Sequence, residues 1–173
     1  DDPEPAPRRE AVPGPALNPD QQSAVAAIRS ATGFHVSILD GVTGSGKTEV
    51  YLHLIAETIE AGRQVLVLVP EIGLTPQLLR RFSHRLGLQP AVIHSGLSAG
   101  ERLAAWEDAR SGRAALLVGT RSALFTPMPR LGLMVLDEEH DASFKQQEGF
   151  RYSARDVAVK RAAELDIPVV LGS

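Results

Sequence analysis

The chain has 173 residues, of which 43% are hydrophobic, a formal net charge of −3 and no cysteine. The length suits one α/β domain with a substantial core, and the lack of cysteine excludes disulfides and cysteine-ligated zinc within it. No apolar run approaches the roughly 18 residues of a membrane span and no signal-peptide pattern opens the chain, so we expect a cytoplasmic protein without a membrane partner. Because the net charge is slightly negative, any nucleic-acid surface must be a local patch.

The start of the chain differs in composition from the rest. Prolines stand at positions 3, 5, 7, 13 and 15, among charged residues and few apolar ones, which is typical of an extended linker. We therefore predict a proline-rich linker over residues 1–16 and one folded lobe over residues 17–173. A linker at the start and an abrupt end just after a predicted strand indicate a piece of a larger protein.

Helix and strand patterns alternate along the rest of the chain. Strand patterns lie near residues 35–39, 64–69, 91–93, 114–118, 133–136 and 168–171, and helix patterns near 20–31, 48–61, 76–86, 99–110 and 154–165. Asn18 with Gln21, and Ser98 with Glu101, have the spacing of capping boxes at helix starts. This alternation predicts an α/β fold with a predominantly parallel sheet and helices on both faces. We expect the strand at 35–39 to be buried.

A glycine-rich segment after the first strand carries the strongest functional signal. Gly41 to Thr48 read GVTGSGKT and fit the phosphate-loop pattern G-x-x-x-x-G-K-[ST] without a mismatch. Glycines let consecutive backbone N–H groups converge on phosphate oxygens, and the following helix adds its positive dipole. Lys47 would bind the β- and γ-phosphates of ATP, and the Thr48 hydroxyl would bind Mg²⁺. The nucleotide-binding residues predicted here are Gly41, Thr43, Gly44, Ser45, Gly46, Lys47 and Thr48. The alternative, a glycine-rich turn with an incidental Lys-Thr pair, is disfavoured by the strand before it and the helix after it.

An acidic group follows the apolar pattern at residues 133–136. Asp137 and Glu138 stand at the carboxyl end of a predicted buried strand, where ligands bind in open parallel sheets. We predict that Asp137 holds Mg²⁺ and that Glu138 orients and deprotonates the attacking water. His140 would sense the γ-phosphate and report to a DNA site. A helix start could carry the same acids, but behind a phosphate loop they indicate a nucleotide hydrolysis site.

Several further motifs carry a family resemblance. They are LNPDQ at 17–21, GVTGSGKTEVY at 41–51, VPEIGLTPQ at 69–77, HSGL at 94–97, GTRSALFTP at 119–127, DEEHD at 137–141 and KQQEGFRYSARD at 145–156. Over residues 17–173 the chain resembles the first RecA-like lobe of superfamily 2 helicases, and within them the PriA family of bacterial replication-restart helicases. The phosphate loop is shared by many ATPases, whereas the combination of these motifs is far more specific. The resemblance implies a RecA-like P-loop NTPase lobe.

The resemblance also assigns roles to single residues. Gln21 matches a glutamine that reads the adenine edge, although it could instead merely close the capping box begun by Asn18. The positions that match motifs touching the DNA backbone are Pro70, Glu71, Thr75, Thr120, Arg121 and Ser122. Two of them have simpler alternatives, because Thr75 could serve only as a helix N-cap and Arg121 only as a solvated charge.

Residues 144–152 combine aromatic and basic side chains. Phe144, Phe150 and Tyr152 are interleaved with Lys145 and Arg151, and aromatic faces stack on unpaired bases while cations bind phosphates. The resemblance implies an aromatic-rich loop that links DNA binding to ATP hydrolysis, so we predict that all five contact DNA. The alternative is that at least one of the three aromatic side chains anchors the loop in the core.

The function implied by the resemblance is an ATP-dependent DNA helicase motor. It would use Mg·ATP to move 3′-to-5′ on single-stranded DNA at stalled forks, for replication restart and primosome assembly. The implied partners are single-stranded and forked DNA, single-strand-binding protein, and primosome or helicase-loading proteins. A second RecA-like lobe would supply an arginine finger, so the fragment alone should be nearly inactive, and zinc is expected only in another part of the protein. The alternatives are a DNA-binding restart scaffold that uses nucleotide as a switch, and a double-strand translocase that does not unwind.

Overall fold

The computed structural model describes residue 4 and residues 6–40, 46–138 and 153–173. The helices are α1 (Pro19–Ser30), α2 (Gly46–Glu60), α3 (Pro76–Leu86), α4 (Ala99–Arg110) and α5 (Ala154–Leu165). The strands are β1 (His35–Leu39), β2 (Gln64–Leu68), β3 (Ala91–Ile93), β4 (Leu116–Gly119), β5 (Leu131–Leu136) and β6 (Pro168–Gly172). Short 3-10 helices at Glu71–Gly73 and Arg121–Ala123 follow β2 and β4. Every predicted helix and strand is present.

The six strands form one parallel sheet in the order β1-β6-β5-β2-β4-β3. At its centre, Val67 pairs with Val118 on one side and Val135 on the other, and the β2–β5 register shifts between Gln64 and Val65. Because all strands run the same way, their carboxyl ends lie along one edge, and the loops that follow β5, β2 and β4 are neighbours there. The predicted parallel α/β fold is confirmed.

Alternate residues of the central strands belong to two separate cores. Val65 and Val67 of β2 belong to the core under α1, α2 and α3, whereas Leu66 and Leu68 belong to the core under α4 and α5. All four side chains are at most 1% exposed. Strands buried on both faces have continuous apolar sequences, and QVLVL at β2 is one. The predicted arrangement of helices on both faces is therefore confirmed.

Side-chain caps fix where α1, α3 and α4 begin. Asn18 and Gln21 form a complete capping box, as do Ser98 and Glu101, and both boxes were predicted. The Thr75 hydroxyl accepts from the N–H of the third residue of α3 at 3.2 Å. A cap of this kind stabilises a helix by about 1 kcal/mol.

Strand β1 differs from its prediction, because it is not a buried strand. Val36 and Ile38 are 43% and 68% exposed. Among the described residues, the strand lies at the end of the sheet and pairs with β6 alone, and the core under α4 and α5 includes no residue of β1. The apolar sequence predicts a buried strand, whereas the strand's position at the sheet edge leaves Val36 and Ile38 exposed.

The amino-terminal segment follows the surface of the lobe. The N–H of Arg9 donates to the carbonyl of Gly87 at 2.6 Å, and the N–H of Val12 donates to the carbonyl of His84 at 3.2 Å. Both acceptors belong to the last turn of α3 or its C-cap, where carbonyls lack partners within the helix. In the described ranges, no helix is long and apolar enough to cross a membrane.

Candidate functional site

Lys47 lies in the first turn of α2 and reaches the carboxyl edge of the sheet. Its Nζ donates to Oε1 of Glu138 at 2.7 Å and to the carbonyl of Ser173 at 3.0 Å. The same atom is 3.5 Å from Oδ1 of Asp137. The Lys47 side chain is only 8% exposed, so a buried ammonium joins the predicted phosphate loop to the predicted hydrolysis acids.

The charge of Lys47 is stabilised by these acidic neighbours. Burial lowers the pKa of the Lys47 ammonium, but the hydrogen bond to Glu138 and the charges of Asp137 and Glu138 outweigh it. The pKa therefore lies above its ordinary value. The Lys47 ammonium can exchange these carboxylates for another anion, such as a phosphate, in the same position.

Asp137 and Glu138 follow β5 directly. The N–H of Asp137 donates to the carbonyl of Leu68 at 2.9 Å, which extends the β5–β2 pairing by one residue. Glu138 then has a φ of 50°, in the left-handed region that residues other than glycine rarely adopt. Such a conformation costs about 1–2 kcal/mol and is often found at functional sites.

Sequence reasoning assigned no role to Tyr51 or Gly172, and both shape this site. The Tyr51 hydroxyl donates to Oδ1 of Asp137 at 2.8 Å. A Cβ at Gly172 would overlap that hydroxyl and lie 2.8 Å from the same carboxylate oxygen. Tyr51 follows Lys47 by four residues and so shares its helix face. That spacing in the sequence indicates that Tyr51 faces the site, but it does not identify Asp137, 86 positions away, as its partner.

Gln21 connects α1 to the start of α2. Its Oε1 accepts from the N–H of Asn18 at 2.8 Å, and its Nε2 donates to the carbonyl of Gly46 at 3.1 Å. The capping role is therefore present. The side chain also lies beside the phosphate-loop end of α2, close to where a nucleotide would bind.

Two of the site residues carry the oxygen atoms that Mg²⁺ prefers. Thr48 is half-buried in the first turn of α2, and the Asp137 side chain is 26% exposed with one oxygen held by Tyr51. A hydroxyl and a carboxylate at this edge fit a magnesium ion that takes its other ligands from phosphates and water. Within the described ranges, no group of three or more His, Cys, Asp or Glu forms a metal cluster by itself.

A buried ion cluster joins α2 to α3 just behind the site. Oε1 of Glu49 lies 2.5 Å from Nη2 of Arg81 and 2.6 Å from Nη1 of Arg85. Burial raises the pKa of Glu49, but the hydrogen bonds from Arg85 and Arg81 outweigh it and hold the pKa below its ordinary value. Sequence reasoning did not identify this cluster. It connects the helix that carries Lys47 to the helix that Thr75 caps.

Six of the residues predicted to touch DNA lie on two neighbouring loops. Pro70, Glu71 and Thr75 follow β2, whereas Thr120, Arg121 and Ser122 follow β4, and these strands are adjacent. Thr75 also has the capping role of its simpler alternative. Thr120 is buried, Arg121 is half-buried and Ser122 is exposed.

A cavity of about 430 Å³ lies between these two loops. Glu71 and Thr120 line it together with His94, Ser95 and Gly96, which follow β3. Oγ of Ser95 donates to Oε1 of Glu71 at 3.3 Å, so the loop after β3 contacts the loop after β2. Beside the cavity, Ile72 is 85% exposed, and sequence reasoning gave no role to either His94 or Ile72.

The remaining predicted site residues lie outside the described ranges. In the phosphate loop these are Gly41, Thr43, Gly44 and Ser45. His140 and the aromatic-rich residues Phe144, Lys145, Phe150, Arg151 and Tyr152 also lie outside. Their roles stay predictions.

Comparison with known proteins shows which proteins the chain is similar to. Residues 18–171 match the family described as DEAD/DEAH box helicase. The chain is 54% identical over 157 residues to Replication restart protein PriA of Haemophilus influenzae, covering 91% of this chain and 22% of that protein. It is 48% identical over 160 residues to the Bacillus subtilis protein of the same name, covering 91% of this chain and 20% of the relative. The resemblance to PriA is confirmed, and the chain spans about a fifth of the length of these relatives.

Solved structures share the fold at low sequence identity. Bacteriophage T4 UvsW superposes with a TM-score of 0.65 at 18% identity, over 95% of this chain and 31% of UvsW. RecG bound to a three-way DNA junction gives a TM-score of 0.62 at 22% identity, over 93% of this chain and 21% of RecG. These likenesses confirm the RecA-like fold of the lobe.

Proposed function

The chain belongs to the DEAD/DEAH box helicase family, and on this basis we propose that it is the ATP-hydrolysing lobe of a DNA helicase motor. The observation that carries the proposal is the hydrogen bond of 2.7 Å between Lys47 and Glu138. The bond joins the lysine of the phosphate-loop motif to the acidic residue expected to activate water. These two residues are 91 positions apart in the sequence.

The chemistry follows from an exchange of partners at Lys47. When ATP binds, its β- and γ-phosphates replace Glu138 as the partner of the Lys47 ammonium. Glu138 is then free to orient the attacking water and accept its proton. Without nucleotide, Glu138, whose side chain is 41% exposed, gives the buried Lys47 ammonium an anionic partner.

Mg²⁺ would be held by the Thr48 hydroxyl and by Asp137, and it would neutralise charge on the phosphate oxygens. Tyr51 positions the Asp137 carboxylate for that role through its hydrogen bond. The backbone of Gly41, Thr43, Gly44, Ser45 and Gly46 would surround the phosphates. We propose that the Gln21 amide contacts adenine, since it already lies against the start of α2, and that His140 senses the γ-phosphate.

The single strand of DNA would cross the carboxyl edge of β2, β4 and β3. Backbone and hydroxyl groups at the starts of short helices suit phosphates without reading sequence. N–H or hydroxyl groups occur here at Glu71 and Thr75 and at Thr120, Arg121 and Ser122. Pro70 has no N–H and would contact the DNA backbone through its ring. The aromatic-rich residues Phe144, Lys145, Phe150, Arg151 and Tyr152 would stack on bases and report strand occupancy to the adjoining acids.

For the whole protein we propose 3′-to-5′ movement on single-stranded DNA at stalled forks, in replication restart. The relatives' name, Replication restart protein PriA, supports that context. A second RecA-like lobe would supply an arginine finger, which is typically worth roughly 10³–10⁵ in rate. The 173-residue chain alone would therefore hydrolyse ATP very slowly. Single-strand-binding protein and primosome or helicase-loading proteins are the proposed partners.

The test is ATP hydrolysis and strand separation by the full-length protein that contains this lobe. Duplexes with a 3′ single-stranded tail are compared with duplexes that have a 5′ tail. Each is tested with Lys47→Ala and with the control Lys160→Ala, which changes an exposed lysine on α5. We expect unwinding of the 3′-tailed duplex and its loss in Lys47→Ala alone. Hydrolysis at the normal rate in Lys47→Ala would refute the site. DNA-stimulated hydrolysis without strand separation would favour a double-strand translocase, and fork binding without hydrolysis would favour a scaffold.

A further inference from the structure

Four arginines surround a second cavity, at the amino edge of the sheet. Arg63 immediately precedes β2, Arg130 immediately precedes β5, and Arg113 lies three residues before β4. Since β5, β2 and β4 are adjacent, these side chains come together. With Arg8 of the amino-terminal segment they line a cavity of about 460 Å³. We call Arg8, Arg63, Arg113 and Arg130 the basic pocket.

Backbone carbonyls, rather than acids, orient three of these guanidinium groups. Nη2 of Arg63 donates to the first carbonyl of β5 at 2.8 Å, and Nη2 of Arg130 donates to the carbonyl of Gly112 at 2.8 Å. Nη2 of Arg8 lies 3.5 Å from a carbonyl in the last turn of α2. A Cβ at Gly112 would lie 3.1 Å from Arg130, so glycine permits this close approach. Neutral acceptors fix the position of the arginines without cancelling their charge.

The positive charge of the basic pocket is largely uncompensated. In the part of the chain that the structure describes, none of its four guanidinium groups forms an ion pair with a carboxylate. By contrast, Arg29, Arg81, Arg85 and Arg110 each do. Glu4 is the one acidic residue along the described lining. The result is a local excess of positive charge on a chain whose formal net charge is −3.

We propose that the basic pocket binds the phosphate backbone of a second stretch of DNA, separate from the strand at the carboxyl edge. Guanidinium groups present paired N–H donors that match phosphate oxygens. An extended peptide fits less well, because the backbone N–H groups of Gln64, Val65 and Ala114 already donate within the chain. A strand of five residues is about 17 Å long, so the carboxyl and amino edges of the sheet are about that far apart. One lobe would therefore hold one stretch of a branched DNA at each edge. This inference rests on the proposed function, in which the protein acts on DNA.

The experiment uses the full-length protein and a forked DNA. Binding is measured over a range of salt concentrations for Arg63→Gln/Arg113→Gln and for the control Arg80→Gln/Lys160→Gln. The control removes the same charge from exposed positions on α3 and α5. We expect the slope of log K against log salt to fall by about one for each arginine that contacts a phosphate. The control should leave the slope unchanged, and unwinding of a simple 3′-tailed duplex should survive in both double variants.

Two further arms identify the ligand. A photo-crosslinking residue placed at Arg113 should attach to the fork DNA, and one placed at Lys160 should not. Inorganic phosphate and polyglutamate are added as competitors at equal charge. An unchanged salt slope together with no crosslink would overturn the inference while leaving the motor intact. If Arg63→Gln/Arg113→Gln no longer bound polyglutamate but bound the fork DNA as well as the unaltered protein does, the inference would also be overturned. The pocket would then favour an acidic protein partner. If the unaltered protein does not bind or unwind DNA at all, the proposed function itself fails.

Discussion

The hydroxyl of Tyr51 donates a 2.8 Å hydrogen bond to Oδ1 of Asp137, which ties α2 to the end of β5. Burial raises the pKa of Tyr51, and the negative charge of Asp137 raises it further, so the phenol stays a proton donor throughout the physiological range. Lys47 and Tyr51 lie one helical turn apart and both reach Asp137. One helix therefore places a cation and a neutral donor on the same carboxylate.

Replacing Tyr51 by Phe should raise the Mg²⁺ concentration that ATP hydrolysis requires while lowering the stability of the fold only slightly. Phe keeps the ring but leaves one Asp137 oxygen without its donor. We expect a loss of about 1 kcal/mol in stability and a several-fold higher Mg²⁺ concentration for half-maximal ATP hydrolysis. A magnesium titration of ATPase activity in the full-length protein measures this. An unchanged titration curve would show that Tyr51 only fills space.

The glycine beside this hydroxyl provides a second, coupled prediction. In Gly172→Ala the new methyl group would overlap the Tyr51 hydroxyl, and we expect overpacking to cost about 1–3 kcal/mol. Removing the hydroxyl should relieve part of that cost, so Gly172→Ala/Tyr51→Phe should lose less than the sum of the single changes. Denaturation of the single and double variants tests this coupling. Strict additivity would contradict the close contact.

The sequence was sufficient to predict the helices and strands, because they depend on local spacing, whereas the roles of the motif residues stay predictions. Apolar periodicity located every helix and strand, and the phosphate-loop pattern located Lys47. Partners far apart in sequence could not be predicted. Tyr51 and Asp137 are 86 positions apart, and the link between Glu49 and Arg85 spans 36. The exposure of β1 also escaped prediction, because an apolar strand pattern does not reveal which strand lies at the sheet edge.

Glu138→Gln should separate nucleotide binding from hydrolysis. The amide is nearly isosteric and can still accept the Lys47 hydrogen bond, but it cannot take a proton from water. We expect the affinity for Mg·ATP to stay within a few-fold while turnover stops. Equilibrium binding of a fluorescent ATP analogue, alongside steady-state hydrolysis, makes the comparison. Loss of binding together with turnover would make Glu138 a structural or metal-binding residue instead.

The ion cluster of Glu49 should stabilise the contact between α2 and α3 in a pH-dependent way. Its pKa lies below the ordinary value of 4.5, so the native state favours the carboxylate. The stabilisation is complete above the unfolded pKa and is lost as the pH falls through the lower folded pKa. Glu49→Gln removes the carboxylate charge that Arg81 and Arg85 share, which should cost about 2–4 kcal/mol near neutral pH.

Amide hydrogen exchange over α2 and α3 in the full-length protein reports the local free energy of opening. The deficit of Glu49→Gln relative to the unaltered protein should be large at about pH 7 and should shrink as the pH falls below the ordinary carboxyl pKa of 4.5. Glu57→Gln is the matched control, because its pair with Arg29 is exposed and should contribute less than about 1 kcal/mol. A Glu49→Gln deficit as small as that of the control would show that the buried cluster adds no stability. A deficit that does not change with pH would show that the charge of Glu49 is not its source.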